Sequence, residues 1–436
     1  MGSRFVLSCL FVLWLAAQSV VRAERLPRVP DIYSPDRVAP TAPSSTDYLA
    51  QARRACEAGS VGEALRLATL AAQVESEEAV TARRVLGYQR ARDQWAGRYA
   101  ARRIAKGEIW NPRFGWIESE DVPRWLDNER PFGRRWISAD EDARRHATID
   151  DGWRVRTDHF RVTTNHSRES AAKLAARLEM LYQVWLQQFG GFYLTSGELV
   201  KRFDGRETSG YRSKPFEVIY YRTREEYNAA LRRRQPRIDM TLGIYFDDTR
   251  TTHFFAGDDQ DPGTIYHEAV HQFFHESRRA ARDVGANSNA WLIEGVACYF
   301  ESLTEHCDGS DVCEWTIGTP TAGRLPAAWH RRMVNDYYVP LAELSALGIQ
   351  DFQQRNDLPR LYSQSAGLVT FLMQYESGKY RKALVETLQR LYTGRDRPST
   401  LAQLTGQSFA ALDQEYQQYL QSLPLDSNSQ SRVSSN

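Results

Sequence analysis

Cysteine and methionine are scarce in this chain, with five of each among 436 residues. So few cysteines exclude a disulfide-dense scaffold. An excess of either charge is missing as well. Against 56 Lys and Arg stand 55 Asp and Glu, a net charge of +1. That is no polyelectrolyte signature, so nucleic acid is not an implied partner. Long apolar runs are absent beyond the N-terminus. The run there, Phe5 to Ala17, is too short for a good membrane span. What remains, 42% hydrophobic and 25% charged, can build two or three domains with real cores.

The first residues, "MGSRFVLSCLFVLWLAAQSVVRAERLP", place one arginine before the apolar run and Val21-Arg22-Ala23 in cleavage spacing after it. This reads as a signal peptide over 1–23, with an uncleaved anchor as the alternative. The mature protein is therefore expected to be exported, either secreted or periplasmic, with no membrane span left after removal of the signal. Cys9 lies inside the run and not at its end, which argues against lipid attachment. Four cysteines remain. Cys307 and Cys313 bracket the polar loop "CDGSDVC" and are expected to bridge, while Cys56 and Cys298 read as buried thiols.

The richest stretch is "TIYHEAVHQFF", residues 264–274. The pattern H-E-x-x-H carries meaning on a helix, where one turn brings His267 and His271 onto one face within reach of one ion. Asp261 then Pro262 supply an N-cap and a proline at the first helical position, so a helix is expected. The motif arises by accident in roughly one chain of this length in a hundred, so a second feature must decide. His275 does not supply it, because eight helical residues put it roughly 12 Å along the axis from His267. "NAWLIEGVACYFES", residues 289–302, reads as a second helix capped by Asn287 or Asn289. Glu294 sits among its apolar positions, and a buried carboxylate needs a partner, for which a metal would serve. A catalytic zinc takes three protein ligands and keeps a fourth position open.

Together, His267-Glu268-x-x-His271 and Trp291-Leu-Ile-Glu294-Gly295-x-Ala297-x-Tyr299-x-Glu301 resemble the gluzincin class of zinc metallopeptidases, of the peptidase MA type. The likeness is nearest to exported bacterial families sharing this core and more distant to the thermolysin and aminopeptidase N groups. It is specific over about residues 260–305 and softer from 150 to 420. The resemblance implies an α+β fold with a zincin-like core, preceded here by a small helical domain. It makes His267, His271 and Glu294 ligands of Zn2+ and Glu268 the general base. Glu301 matches a position where a carboxylate accepts the free N–H of a ligand histidine; a solvated surface glutamate is the alternative. Tyr362, in "LPRLYSQSAGLVTFLMQY", matches the interval of an oxyanion-donating tyrosine, with Tyr299 as its competitor and a core tyrosine as the bland reading. No G-x-M-E-N-like segment precedes the zinc helix, which disfavours exopeptidase activity.

The remaining organisation accommodates this reading. Residues 24–45 are proline-rich and suggest an extended linker. Residues 46–106 suggest two or three amphipathic helices with one tetratricopeptide-like hairpin, "AGSVGEALRLATLAA", and no sustained period. This is a helical cap or a surface for a protein partner. In 107–150, Trp110, Phe114, Trp116, Trp125, Phe132 and Trp136 alternate with arginines, which suits an irregular packed module better than base or sugar stacking. Residues 151–260 suggest a β-rich subdomain with a long helix inside it, 261–424 the zinc helix and a helical subdomain, and 425–436 a disordered tail. Two functions follow. One is an exported zinc peptidase, for which an endopeptidase fits best and whose substrate is a peptide or protein. The other is a non-catalytic binding or scaffold protein with a structural zinc. Glu268 favours the first, because a structural zinc has no use for a general base and closes its fourth position.

Overall fold

The structure, a computed structural model, describes residues 23–28, 32–33, 45–73, 76–206, 214–257, 260–307 and 313–425. The expected signal peptide up to Arg22 and the expected tail from Asp426 lie outside the described residues. Glu24–Leu26 form a strand, β1, where the prolines suggest only a linker. Apolar anchors account for the difference. Leu26 and Tyr33 are buried, and the Tyr33 hydroxyl donates to Asp158 at 2.7 Å. Helices α1 (Ser45–Glu57), α2 (Val61–Ala72) and α3 (Glu77–Leu86) follow. The apolar stripe of α2, with Val61, Leu65 and Ala68, packs on Cys56 of α1 and on Leu194 and Leu199 further along the chain. The helical hairpin thus buries its faces within the same molecule.

From residue 89 to 145 one unit recurs three times. The hairpin of β2 (Gln89–Ala91) and β3 (Gln94–Ala96) leads into α4 (Arg98–Ala105). That of β4 (Glu108–Asn111) and β5 (Gly115–Glu118) leads through a short 3-10 turn into α5 (Val122–Leu126). That of β6 (Glu129–Phe132) and β7 (Arg135–Ser138) leads into α6 (Ala139–Arg145). Trp95, Trp116 and Trp136 hold the same place on each second strand. Helix up to residue 106 and an irregular module beyond it are both corrected here. Strands of three or four residues give too short an alternation to stand out, and turn residues in left-handed conformation, Arg92 (φ 51°) and Gly133 (φ 61°), close the outer hairpins. Trp110, Phe114, Trp116 and Trp125 are buried and pack edge-on or tilted against Tyr33 and one another.

The alternating stretch after Gly152 forms the hairpin β8 (Trp153–Arg156) and β9 (Phe160–Thr164). Then come the long helix α7 (Arg168–Tyr193), α8 (Ser196–Phe203), β10 (Phe216–Tyr221), α9 (Arg224–Leu231), β11 (Ile244–Phe246) and β12 (Thr251–Phe255). The sheet order is β11-β12-β10-β9-β8. Its centre, β9-β10-β12, is parallel, while β8 and β11 are antiparallel edges. The fold is therefore mixed α and β with a mixed sheet. Helix α10 (Pro262–Glu276) lies beneath it, with α11 (Ala290–Phe300) beside. Phe273 of α10 meets Phe160, Phe216, Tyr182 and Trp185 in one ring cluster. A hairpin of β13 (Thr304–Cys307) and β14 (Cys313–Ile317) comes next, and β1 pairs with the outer side of β14. The rest is helical as expected: α12 (Leu325–Met333), α13 (Leu341–Ala346), α14 (Ile349–Gln353), α15 (Leu358–Gln374), α16 (Arg381–Tyr392), α17 (Thr400–Thr405) and α18 (Phe409–Ser422).

Candidate metal centre

Helix α10 begins as its sequence dictates. The Asp261 side chain accepts the Thr264 N–H at 3.2 Å, and Pro262 occupies the first turn. The helix is pinned to the sheet by Gln272. This wholly buried amide accepts from the Thr252 hydroxyl (2.9 Å) and donates to the carbonyls of Glu217 (3.1 Å) and Arg250 (3.3 Å). One face is thereby fixed inward, and the opposite face presents His267 and His271 toward α11. Asn289 stands at the N-cap of α11 in left-handed conformation (φ 56°), yet its side chain does not cap the helix. It is buried and donates to Asp396 and to the Arg397 carbonyl, tying α11 to the later helices.

Three donor atoms converge between these helices. His267 Nε2 and His271 Nε2 lie 3.0 Å apart, and Glu294 Oε2 lies 3.4 Å from the first and 3.5 Å from the second. A tetrahedral ion with bonds of about 2.0–2.1 Å sets its donors roughly 3.3–3.4 Å apart, so the triangle has the dimensions of one face of such a site. One shared proton would satisfy two of these acceptors, whereas a divalent cation satisfies all three. The donor set, two imidazoles and a carboxylate, suits zinc. Glu294 is buried. Burial by itself would raise its pKa, but His271 and His267 hold it well below the usual carboxylate range.

Behind His267 the order of partners is defined. Glu301 Oε1 lies 2.8 Å from His267 Nδ1, and both Glu301 oxygens accept from Arg324, through Nε at 2.6 Å and Nη2 at 3.0 Å. A carboxylate gripped by a guanidinium is an acceptor only, so Nδ1 of His267 is the donor and Nε2 is the ring nitrogen left facing the triangle. Burial works to raise the Glu301 pKa, but His267 and Arg324 outweigh it and lower it. Glu301 is thus not a solvated surface residue. Cys298 Sγ, 3.9 Å from the same Nδ1, forms a second possible donor group with His267 and Glu301. That group suits a cation worse, because Arg324 already engages Glu301 and burial pushes the thiol pKa up.

Glu268, on the same helix, adds no donor to the triangle. Its Oε2 accepts the backbone N–H of Tyr245 at 2.9 Å, so it touches the edge strand β11. Gly243 makes room for it, since a Cβ there would come 3.2 Å from Glu268 Cγ and 3.0 Å from the Phe254 ring. Tyr362 on α15 lies with its ring 5.5 Å from the Arg324 guanidinium. Burial and the charge of Glu294 both raise its pKa, so its hydroxyl keeps its proton. Tyr299 points elsewhere. It is buried and donates to Gln188 of α7 at 3.4 Å, a packing role. His275 pairs with the Tyr245 hydroxyl at 3.0 Å, outside the triangle.

Arg324 and Gln272 escaped the sequence reading. A buried Glu301 implied a cation, yet nothing in the spacing singles out one arginine, 23 residues on, among 56 basic side chains. No protein-family model matches this chain, and no curated protein matches it.

Proposed function

We propose that this protein is an exported zinc-dependent peptidase of the gluzincin type, acting as an endopeptidase on peptide or protein substrates. The observation that carries the reading is the triangle of His267, His271 and Glu294 with a second carboxylate, that of Glu268, beside it but outside the donor set. The mixed sheet with an antiparallel edge strand beside the helix of the two histidines supports a zincin-like core, as does the third donor's arrival from the next helix. Export rests on the N-terminal sequence.

When bound, the ion would supply Lewis acidity toward a peptide carbonyl and make water more acidic. The protein's own groups do the rest. Glu268 accepts the proton of the attacking water and passes it to the departing amine. Tyr362, protonated and partly exposed, donates to the oxyanion. His267 is held in one tautomer by Glu301, and Glu301 by Arg324. The edge strand β11, to which Glu268 is bonded through the Tyr245 N–H, borders the site and offers an extended peptide its remaining edge groups.

Metal analysis of the purified protein and three variants tests this. One zinc per chain is expected, lost in His267→Ala. In Glu268→Gln zinc and fold should remain while hydrolysis of a peptide library falls by about 10²–10⁴. Tyr362→Phe should retain zinc and lose about a hundredfold, the value of one oxyanion donor. Turnover that survives Glu268→Gln refutes the mechanism. A zinc-loaded wild type that cleaves nothing across a broad library makes the binding-protein reading the better one.

A further inference from the structure

A cavity of about 470 Å³ opens where α2, α3, the β2-β3 hairpin and α4 meet α7. That volume is in the range that takes a small organic ligand. Helix α7 separates it from the metal centre. Gln183, Leu186 and Gln187 face the cavity, whereas Trp185 and Phe189 pack on α10.

Its two acids are engaged. Asp158 accepts the Tyr33 hydroxyl and the Tyr99 N–H, both at 2.7 Å, and Glu179 accepts the backbone N–H (2.6 Å) and Nδ1 (2.7 Å) of His159. Arginines outnumber them on the wall. Arg156 is half-buried with its guanidinium 4.4 Å from the centre of the Tyr99 ring, and its Nε is buried without a hydrogen-bond partner among the described residues. Arg84 and Arg102 are exposed at the mouth. Gln187, 3% exposed, donates its amide N–H to the Pro27 carbonyl at 2.8 Å, but its Oε1 is buried and meets no donor among the described residues. Leu65, Leu186 and Leu194 supply an apolar wall. The lining residues thus include a guanidinium with an unpartnered N–H, an amide with an unpartnered oxygen, both among the described residues, and an apolar surface. A ligand that answers all three carries an acid, an N–H beside it and a hydrocarbon body.

We propose that this cavity is a binding site for a small apolar carboxylate bearing an adjacent amide N–H, the chemistry shared by an N-acylated amino acid and the C-terminal residue of a peptide. The carboxylate sits on Arg156 with Arg84 and Arg102 at the entrance, the N–H on Gln187 Oε1, and the apolar body on the three leucines. The site is independent of the metal centre and of the peptidase reading.

Isothermal titration of the full chain with N-acetyl-leucine, its methyl ester and the tripeptide acetyl-Ala-Ala-Leu tests it. The acid should bind at least about tenfold more tightly than the ester, since only the acid makes a charge-assisted pair with Arg156. Arg156→Gln should weaken it by about tenfold. Arg84→Gln, at an exposed position that leaves folding intact, should weaken it about threefold. Glu268→Gln should leave it unchanged. Binding of the amino acid alone, of the tripeptide alone or of both supports the shared chemistry and says which source fits. Equal affinity for acid and ester overturns the proposal. So does affinity unmoved in both arginine variants, affinity altered by Glu268→Gln, or no binding by any probe.

Discussion

On the proposed reading, Arg324 would act on the metal through two intervening side chains. It grips Glu301 with two hydrogen bonds, 2.6 and 3.0 Å, and Glu301 in turn orients His267. Partners of this kind contribute about 10–100-fold to metal affinity by fixing the ligand's tautomer and ring plane. Arg324→Gln is therefore expected to weaken zinc about tenfold while leaving the three ligands in place. Competition with a chromophoric chelator measures this, and an unchanged affinity would remove Arg324 from the site. Because the guanidinium also lies over Tyr362, the same variant should loosen the tyrosine.

Among elements, the contact of α11 with α15 is the one the site depends on. Gly295 lets the helices approach so closely that a Cβ there would lie 2.9 Å from the Ser365 carbonyl oxygen and 2.9 Å from Val369 Cγ2. Backbone on one side cannot yield, so Gly295→Ala should cost about 1–3 kcal/mol. Since Glu294 precedes it and Tyr362 rides on α15, the splayed helices should also lower zinc occupancy. A denaturant midpoint shift with unchanged slope reads the first effect, and metal content the second. The hairpin after α11 carries another expectation. The register of β13 and β14 sets Cys307 opposite Cys313, although their side chains lie outside the described residues. Cross-strand Cβ separations approach those of a disulfide. Peptide mapping of the non-reduced mature protein should find the two linked, and four free thiols would refute it. The short loop closed by such a bridge is worth about 2 kcal/mol.

At the scale of the whole molecule, one short segment joins regions far apart in sequence. Glu24 pairs with Arg381 at 2.8 Å, Arg28 with Glu305 at 3.2 Å, and the Arg28 carbonyl accepts from Gln73 at 3.1 Å. The N-terminal helices, the β13-β14 hairpin and the C-terminal helices are thus tied through residues 24–28. Global stability should also sense pH through His253. It is buried on β12, and desolvation, aided by Arg234, lowers its pKa to about 4. The unfolded chain takes up a proton near pH 6.5 while the folded chain declines it until about 4, so stability falls as pH drops through that window. The loss is at most about 3 kcal/mol at its lower end. Chemical denaturation at pH 7 and pH 4.5 should show a smaller acid loss in His253→Gln than in wild type, and an equal loss would exonerate this histidine.

Local information was enough for much of this. The helix of His267 and His271 follows from Asp261, Pro262 and the apolar spacing around the motif, all within one stretch of chain. The hairpin β8-β9, the pair β11-β12 and the helical C-terminal half follow from periodicity in the same way. Glu294 stood out because a carboxylate amid Trp291, Leu292 and Val296 has to find a partner. The three hairpin-helix units did not stand out, since strands of three or four residues carry too little alternation and their common mark is a single tryptophan about 21 residues apart. Which arginine meets Glu301, which glutamine pins α10 to the sheet, and how β1 finds β14 were decided only by tertiary structure. Each depends on residues tens or hundreds of positions apart being brought together by the burial of unrelated apolar surface, and neither composition nor spacing records that juxtaposition.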